Sequence, residues 1–168
     1  MGMLRKLSED DAPELVRVVR ESLPHLRPWL EWATDSYDHA TAEAFLVAAV
    51  EGWARGTLFD QAITSDGAIV GVVSAGREDD LVEIGYWLHP AHTGRGLVTR
   101  AVAEVVELAF GLPGVRRVQI WHDEANVASG AVPRRLGFTE VDRRTPPRDP
   151  RFGAEIGVDV VWELRRDQ

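Results

Sequence analysis

Cysteine is absent from the 168 residues. That excludes disulfides, thiolate metal sites and a cysteine acyl-enzyme. No stretch reaches the about 18 consecutive apolar residues that a membrane-spanning helix needs. Met1-Gly2-Met3-Leu4-Arg5-Lys6 lacks the apolar core of a secretory signal, and Lys6 stands where a myristoylation site wants Ser or Thr. There is no repeat of about 20–50 residues and no low-complexity block. No clustered excess of cations is present: Lys+Arg number 19 against 27 Asp+Glu, a net charge of −8. A broad nucleic-acid surface is therefore not expected. A cytoplasmic protein is the default expectation.

What is present is ordinary for one globular domain. Hydrophobic residues make up 45% and charged residues 27%. At roughly 150 residues per domain, a chain of this length is expected to be a single unit, residues 1–168. It is long enough to bury one sizeable core.

Met3 to Leu7 reads as a short strand. Ser8, Glu9, Asp10 and Asp11 suit a helix start, and Leu15, Val18, Val19 and Leu23 follow at helical spacing until Pro24. Trp29-Leu30-Glu31-Trp32 is an aromatic link. Asp38 opens a second helix with Phe45, Ala48, Ala49, Gly52 and Trp53 on one face, ended by Gly56. The period then changes. Strands are predicted over 57–64, 68–76 and 81–88, with Ser65-Asp66-Gly67 and Glu78-Asp79-Asp80 as turns. A helix over 97–110 buries Val98, Ala101, Val102, Val105 and Ala109. A strand over 115–121, a short helix over 127–136 and strands over 138–142 and 158–164 complete the chain. Residues 143–157, rich in Arg, Pro and Gly, read as a mobile loop. The order β-α-α-β-β-β-α-β-α-β-β is mixed α/β rather than a βαβ repeat.

The segment Ile84-Gly85-Tyr86-Trp87-Leu88-His89-Pro90-Ala91-His92-Thr93-Gly94-Arg95-Gly96-Leu97-Val98 carries the clearest chemical signal. A buried strand runs through a glycine-bearing loop into a helix. Unpaired amides at a helix start attract an anion, and Gly94 and Gly96 allow close backbone approach. A phosphate or pyrophosphate is expected at Thr93 to Val98. A P-loop is excluded because no lysine follows the glycines. A dinucleotide fingerprint is excluded because Thr99 takes the place of its third glycine. Read alone, the loop also fits a plain helix cap. A second group follows the strand ending at Trp121. There Asn126 can cap the next helix or hold an amide of a ligand, and Ser129 can donate a proton. His89-Pro90-Ala91-His92 has metal-like spacing but no third ligand nearby, so no metal is expected. Val72 spoils a nucleophile elbow around Ser74.

Ile84-Gly85-Tyr86-Trp87-Leu88, Gly94-Arg95-Gly96, Asn126-x-x-Ser129 and Leu136-Gly137-Phe138 together resemble the GNAT superfamily of acyl-CoA-dependent N-acyltransferases. The closer likeness is to its RimJ/RimL branch, named for enzymes that acetylate ribosomal-protein N-termini. The resemblance implies a central, mostly antiparallel, splayed seven-stranded sheet flanked by helices. It implies acetyl-CoA as co-substrate, held by Tyr86, Trp87, Leu88, Thr93, Gly94, Arg95, Gly96, Leu97, Val98, Asn126 and Ser129. Pantetheine would enter the splay, with Trp87 beneath it, and backbone amides near Tyr86 to Leu88 would polarise the thioester. Thr93 replaces the family's Gln or Arg, and Val98 its last small residue. Pro133 stands where many relatives carry a tyrosine acid, and Arg148 where some carry a glutamate base.

With no cysteine, the amine is expected to attack directly in a ternary complex. An α-amine is easier to deprotonate than a lysine by about 2.5 pKa units, or about 3.4 kcal/mol, so a weak base suffices. Glu83 is the first candidate base and acceptor-site residue, Asp60 the weaker one, and Ser129 the acid. Trp29 and Trp32 are candidate acceptor contacts; Trp53, Trp121 and Trp162 read as core. Arg143, Arg144, Arg148 and Arg151 form a basic run, either solvated or facing the CoA 3′-phosphate or an acidic partner. The first expected acceptor is a protein N-terminal α-amine. A polyamine or aminoglycoside is a second reading, and a non-catalytic CoA-binding module a third. A homodimer is compatible with all three.

Overall fold

The computed structural model describes residues 3–167; Met1 and Gly2, on which the signal and myristoylation readings partly turn, lie outside the described residues. Seven strands and four helices follow the expected order. They are β1 (Leu4–Lys6), α1 (Ala12–Leu26), α2 (His39–Arg55), β2 (Gln61–Ser65), β3 (Ala68–Glu78), β4 (Leu81–Leu88), α3 (Leu97–Gly111), β5 (Arg117–Asp123), α4 (Val127–Arg135), β6 (Thr139–Arg144) and β7 (Asp159–Arg165). The strands form one sheet in the order β1-β2-β3-β4-β5-β7-β6. Every pairing is antiparallel except β4 with β5.

Local chemistry explains most boundaries. The Asp11 carboxylate accepts the Ser8 N–H at 2.9 Å and closes the short 3-10 turn before α1. In α1, Leu15, Val18, Val19 and Leu23 are buried as their spacing demands. The helix does not stop at Pro24 but runs to Leu26, whose burial draws in one further turn, and Arg27 N–H closes on Leu23 O at 2.8 Å. Asp38 caps α2 by accepting from Thr41 N–H at 2.9 Å, and Gly56 ends it. The buried stripe of α2 is Ala42, Leu46, Ala49 and Gly52, so Ala48, expected on that face, is exposed. At Gly52 the following loop presses in: a Cβ there would lie 2.4 Å from Leu58 Cβ. That crossing delays β2. Thr57 to Phe59 wind off the helix end, and Leu58 makes only an isolated bridge to Gly76.

The sheet divides the apolar interior into two layers. On one face α1 and α2 cover a cluster that includes Leu15, Val19, Leu46, Ile69 and Val72. On the other, α3 and α4 cover Val73, Ile84, Val102, Val105, Ile120 and Trp162. What places a site between these layers is the β4–β5 pair. Their register holds only at Leu81↔Arg117, Val82↔Val118 and Glu83↔Gln119. Beyond Glu83 the strands diverge, so the sheet splays as expected. Residues 143–157 were expected to be mobile, but 143 and 144 belong to β6 and the rest is strapped down. The Asp123 carboxylate accepts the N–H groups of Ile156 and Gly157 at 3.0 and 2.9 Å, and Ala154 N–H reaches Pro28 O at 3.0 Å.

Candidate functional site

A cavity of about 850 Å³ opens at the splay. Its walls include Tyr86, Trp87 and Leu88 from β4, Thr93, Gly94, Gly96, Leu97 and Val98 from the loop and start of α3, and Asn126 and Ser129 from α4. His25 and Trp29 close it from the end of α1 and the link beyond. Three sequence candidates lie elsewhere. Arg95 does not face the cavity; its carbonyl accepts from the Arg100 guanidinium at 3.1 Å. Trp32 packs edge-on against Trp87, ring centroids 5.9 Å apart. Glu83 does not line the cavity; it lies further along β4, paired with Arg148.

The mouth of α3 is built from backbone. Gly94 and Gly96 have φ of 78° and 74°, a left-handed geometry that costs other residues about 1–3 kcal/mol. The first helical bond runs from Arg100 N–H to Gly96 O at 3.0 Å. The N–H groups of Leu97, Val98 and Thr99 thus precede the helical ladder, and no side chain caps them. Thr93 does not supply a cap; its hydroxyl donates to Pro90 O at 2.8 Å. Val98 is half-buried and packs against the core beneath the helix start. An oxyanion entering here meets three donors and the positive end of a 15-residue helix.

Across the cavity, Pro133 has an unforeseen consequence. Lacking an N–H, it leaves the carbonyl of Ser129, four residues back, without its helical donor. The Tyr86 hydroxyl fills that vacancy, donating to Ser129 O at 2.7 Å. The Ser129 hydroxyl in turn donates to Tyr86 Oη at 3.3 Å. Burial pushes the Tyr86 phenol up to about 12, so it remains neutral. Asn126 Oδ1 accepts from Ser129 N–H at 3.3 Å and caps α4. Its amide nitrogen is not used in that cap. Gly130 lets α4 lie against β5, since a Cβ there would come within 2.7 Å of His122.

The other side of β4 is built from side chains. Glu83 receives both terminal nitrogens of Arg148, at 2.7 and 2.5 Å. Arg148 stacks 4.0 Å above the half-buried Trp121 ring. Glu83, the expected base, is therefore held in a forked ion pair outside the cavity. The rest of the basic run stays exposed, with surface ion pairs: Arg143 pairs with Glu140 and Glu124, and Arg144 lies 4.0 Å from Asp142. Asp60 is 5% exposed and its Oδ1 has no hydrogen-bond partner. Burial pushes this carboxyl up, and the neighbouring Ser74 hydroxyl partly offsets the push. Ser74, Trp121 and Arg148 were not legible as partners in one place; strand alternation could have put Ser74 and Glu83 on one face, but not Arg148. Among the described residues, no group of three or more His, Asp or Glu is placed to hold a metal.

Comparison with known proteins agrees with this geometry. Residues 3–139 match the family described as acetyltransferase (GNAT) domain. YdaF of Bacillus subtilis (strain 168), named as a candidate ribosomal N-acetyltransferase, is 28% identical over 166 residues, covering 95% of this chain and 87% of that protein. The solved structure of RimL, a ribosomal L7/L12 α-N-protein acetyltransferase in complex with coenzyme A, superposes with a TM-score of 0.88 at 21% identity, covering 96% and 92% of the two chains. MccE, a microcin C7 self-immunity acetyltransferase solved with acetyl-CoA and AMP, superposes at 0.87 with 19% identity, covering 97% and 91%. At such identities the two structures speak for the fold.

Proposed function

The chain belongs to the acetyltransferase (GNAT) domain family, and from that premise we propose that it moves the acetyl group of acetyl-CoA to the N-terminal α-amine of a protein. Family membership makes it an N-acetyltransferase with acetyl-CoA as co-substrate, in place of the non-catalytic alternative. The finer reading, a ribosomal-protein N-terminus as acceptor, draws on the likeness to YdaF. The observation that carries the site is the set of open N–H groups at the α3 mouth, facing the cavity where β4 and β5 part.

In this reading the diphosphate of CoA lies on the Leu97, Val98 and Thr99 amides, with Gly94 and Gly96 giving it room. Pantetheine follows the gap beside Tyr86, Trp87 and Leu88, and the Asn126 amide holds its arm. The acceptor amine attacks the thioester carbon, the C–N bond forms, and the C–S bond breaks. Ser129 donates a hydrogen bond to the departing thiolate, which at a pKa of about 8.5 for a free thiol needs little more. Trp29 stands at the cavity wall and Trp32 behind Trp87, where both bound the acceptor entrance. Glu83 contributes to the acceptor face through its pair with Arg148 rather than as a free carboxylate. One domain over residues 1–168, a cytoplasmic site of action and a homodimer belong to the same proposal.

The test is thiol release from acetyl-CoA across a panel of acceptors. Turnover of peptides bearing free N-termini, with polyamines and aminoglycosides inert, is the expected result. The reverse selectivity would replace the acceptor assignment by a small amine.

A further inference from the structure

We propose that Asp60 and Ser74 form the proton-accepting pair for the acceptor's ammonium, an assignment that rests on the acetyltransferase reading above. The row that carries the inference crosses the sheet. Ser74 on β3 is the register partner of Gly85 on β4. Asp60 immediately precedes the Gln61↔Val73 pair and so stands opposite Ser74. Side chains alternate along a strand, so this row faces the same side as Val72 and Trp87 on one flank and Gly76 and Glu83 on the other. Neighbouring strands lie roughly 4.8 Å apart, which sets Ser74 beside whatever rests on Gly85.

That place is open. Gly85 is exposed, and a Cβ built on it would touch nothing within 4 Å. Gly76 would meet only Leu58 Cδ2, at 3.5 Å. The floor of small residues is bounded by the Trp87 ring and by the Glu83–Arg148 pair. Beside Gly85 the β4–β5 ladder has already ended, so the gap passes through the sheet. A thioester held in the gap is then reached from the Ser129 side by a proton donor and from the Gly85 side by an amine. The second observation is Asp60 itself: a carboxylate 5% exposed, with an oxygen lacking any partner, on the edge of that floor. A buried carboxylate without a cation costs stability and calls for one. Two nearby charges on this side are already engaged, Glu83 with Arg148 and Arg117 with Asp80 and Glu163. Trp53 donates to the Asp60 carbonyl, not its carboxylate.

The acceptor is thus a primary amine that arrives as an ammonium. It passes one proton to the Ser74 hydroxyl, whose own proton moves to the Asp60 carboxylate. The neutral amine then attacks the thioester carbon; as the C–N bond forms and the C–S bond breaks, the surplus proton on the nitrogen leaves to water, and Asp60 later returns its own proton to water. Burial, which raises the proton affinity of this carboxyl, favours the transfer.

The experiment compares two peptides with the wild-type enzyme, Asp60→Asn and Ser74→Ala. One peptide begins with alanine; the other is the same peptide beginning with 3,3,3-trifluoroalanine, whose amine is largely neutral at pH 7. Asp60→Asn is expected to lose at least tenfold in kcat/KM on the alanine peptide and less than threefold on the fluorinated one, with CoA affinity unchanged. Ser74→Ala is expected to show the same pattern in smaller measure. Equal losses on both peptides, or no loss on either, would overturn the assignment. An Asp60→Asn protein that no longer binds CoA hands the decision to Ser74→Ala under the same criterion. A wild-type enzyme that turns over neither peptides nor small amines overturns the proposed function, and this inference with it.

Discussion

The two sides of β4 are made of different materials. On the cavity side the anion site consists of main-chain N–H groups at the start of α3, set by two glycines three residues of chain from end to end. On the acceptor side the features are side chains from the residue just before β2, from β3, β4 and β5, and from the loop before β7, brought together only by the sheet. The first site is local and needs no partner to be recognised. The second exists only after Asp60, Ser74, Glu83, Trp121 and Arg148 meet. Donor binding and acceptor chemistry are therefore separable, and substitutions on one side should leave the other intact.

The largest expected effect lies at the mouth of α3. Gly96→Val adds a side chain at φ 74° and toward Arg100, where even a Cβ would be 3.2 Å from the guanidinium. At about 1–3 kcal/mol of backbone strain, CoA affinity should fall about tenfold or more by calorimetry, with the fold retained. Next comes Ser129→Ala. Losing a hydrogen bond to a developing thiolate should lower kcat about tenfold to a hundredfold at unchanged CoA affinity; a changed CoA affinity with normal kcat would remove Ser129 from the chemistry.

Asp123 tests the strap that completes the acceptor side. Its burial opposes ionisation, but the amides of Ile156, Ala125, Gly157 and Val158 outweigh that and hold the carboxyl below its ordinary value. A lowered native pKa means the folded state binds fewer protons than the unfolded one. The stabilisation is present above the unfolded value of 3.8 and is lost as pH falls through the lower folded value. Asp123→Asn should cost about 2 kcal/mol at neutral pH in denaturant melts and flatten that acid limb. Asp60 has the opposite sign. Its raised pKa makes the fold lose stability as pH rises upward from 3.8, so Asp60→Asn should melt higher than the wild type at pH 7 while losing activity. The smallest effect belongs to Arg148→Gln: a severalfold change in acceptor KM, read by steady-state kinetics, without change in CoA binding.

The same division explains what the sequence made legible. Element order, the buried stripes of α1 and α3, the caps at Asp38 and Gly56, and the glycine loop all follow from neighbours within a few residues, and all were expected. Pro24 was read as a break because its cost is local, whereas the burial of Leu26 that outweighs it is tertiary. Arg148 read as a loop cation because its partners Glu83 and Trp121 lie far away in sequence. The loop over 143–157 read as mobile because the carboxylate that fastens it, Asp123, belongs to another strand. The link from Pro133 through Ser129 O to Tyr86 required knowing both the missing donor and what replaces it.

The most direct measurement is the response of backbone amide resonances to added CoA. The N–H signals of Leu97, Val98 and Thr99 are predicted to move strongly downfield together, while those of Asp60 and Ser74 stay nearly fixed. Tight CoA binding that leaves the three helix-start amides where they were would contradict the account.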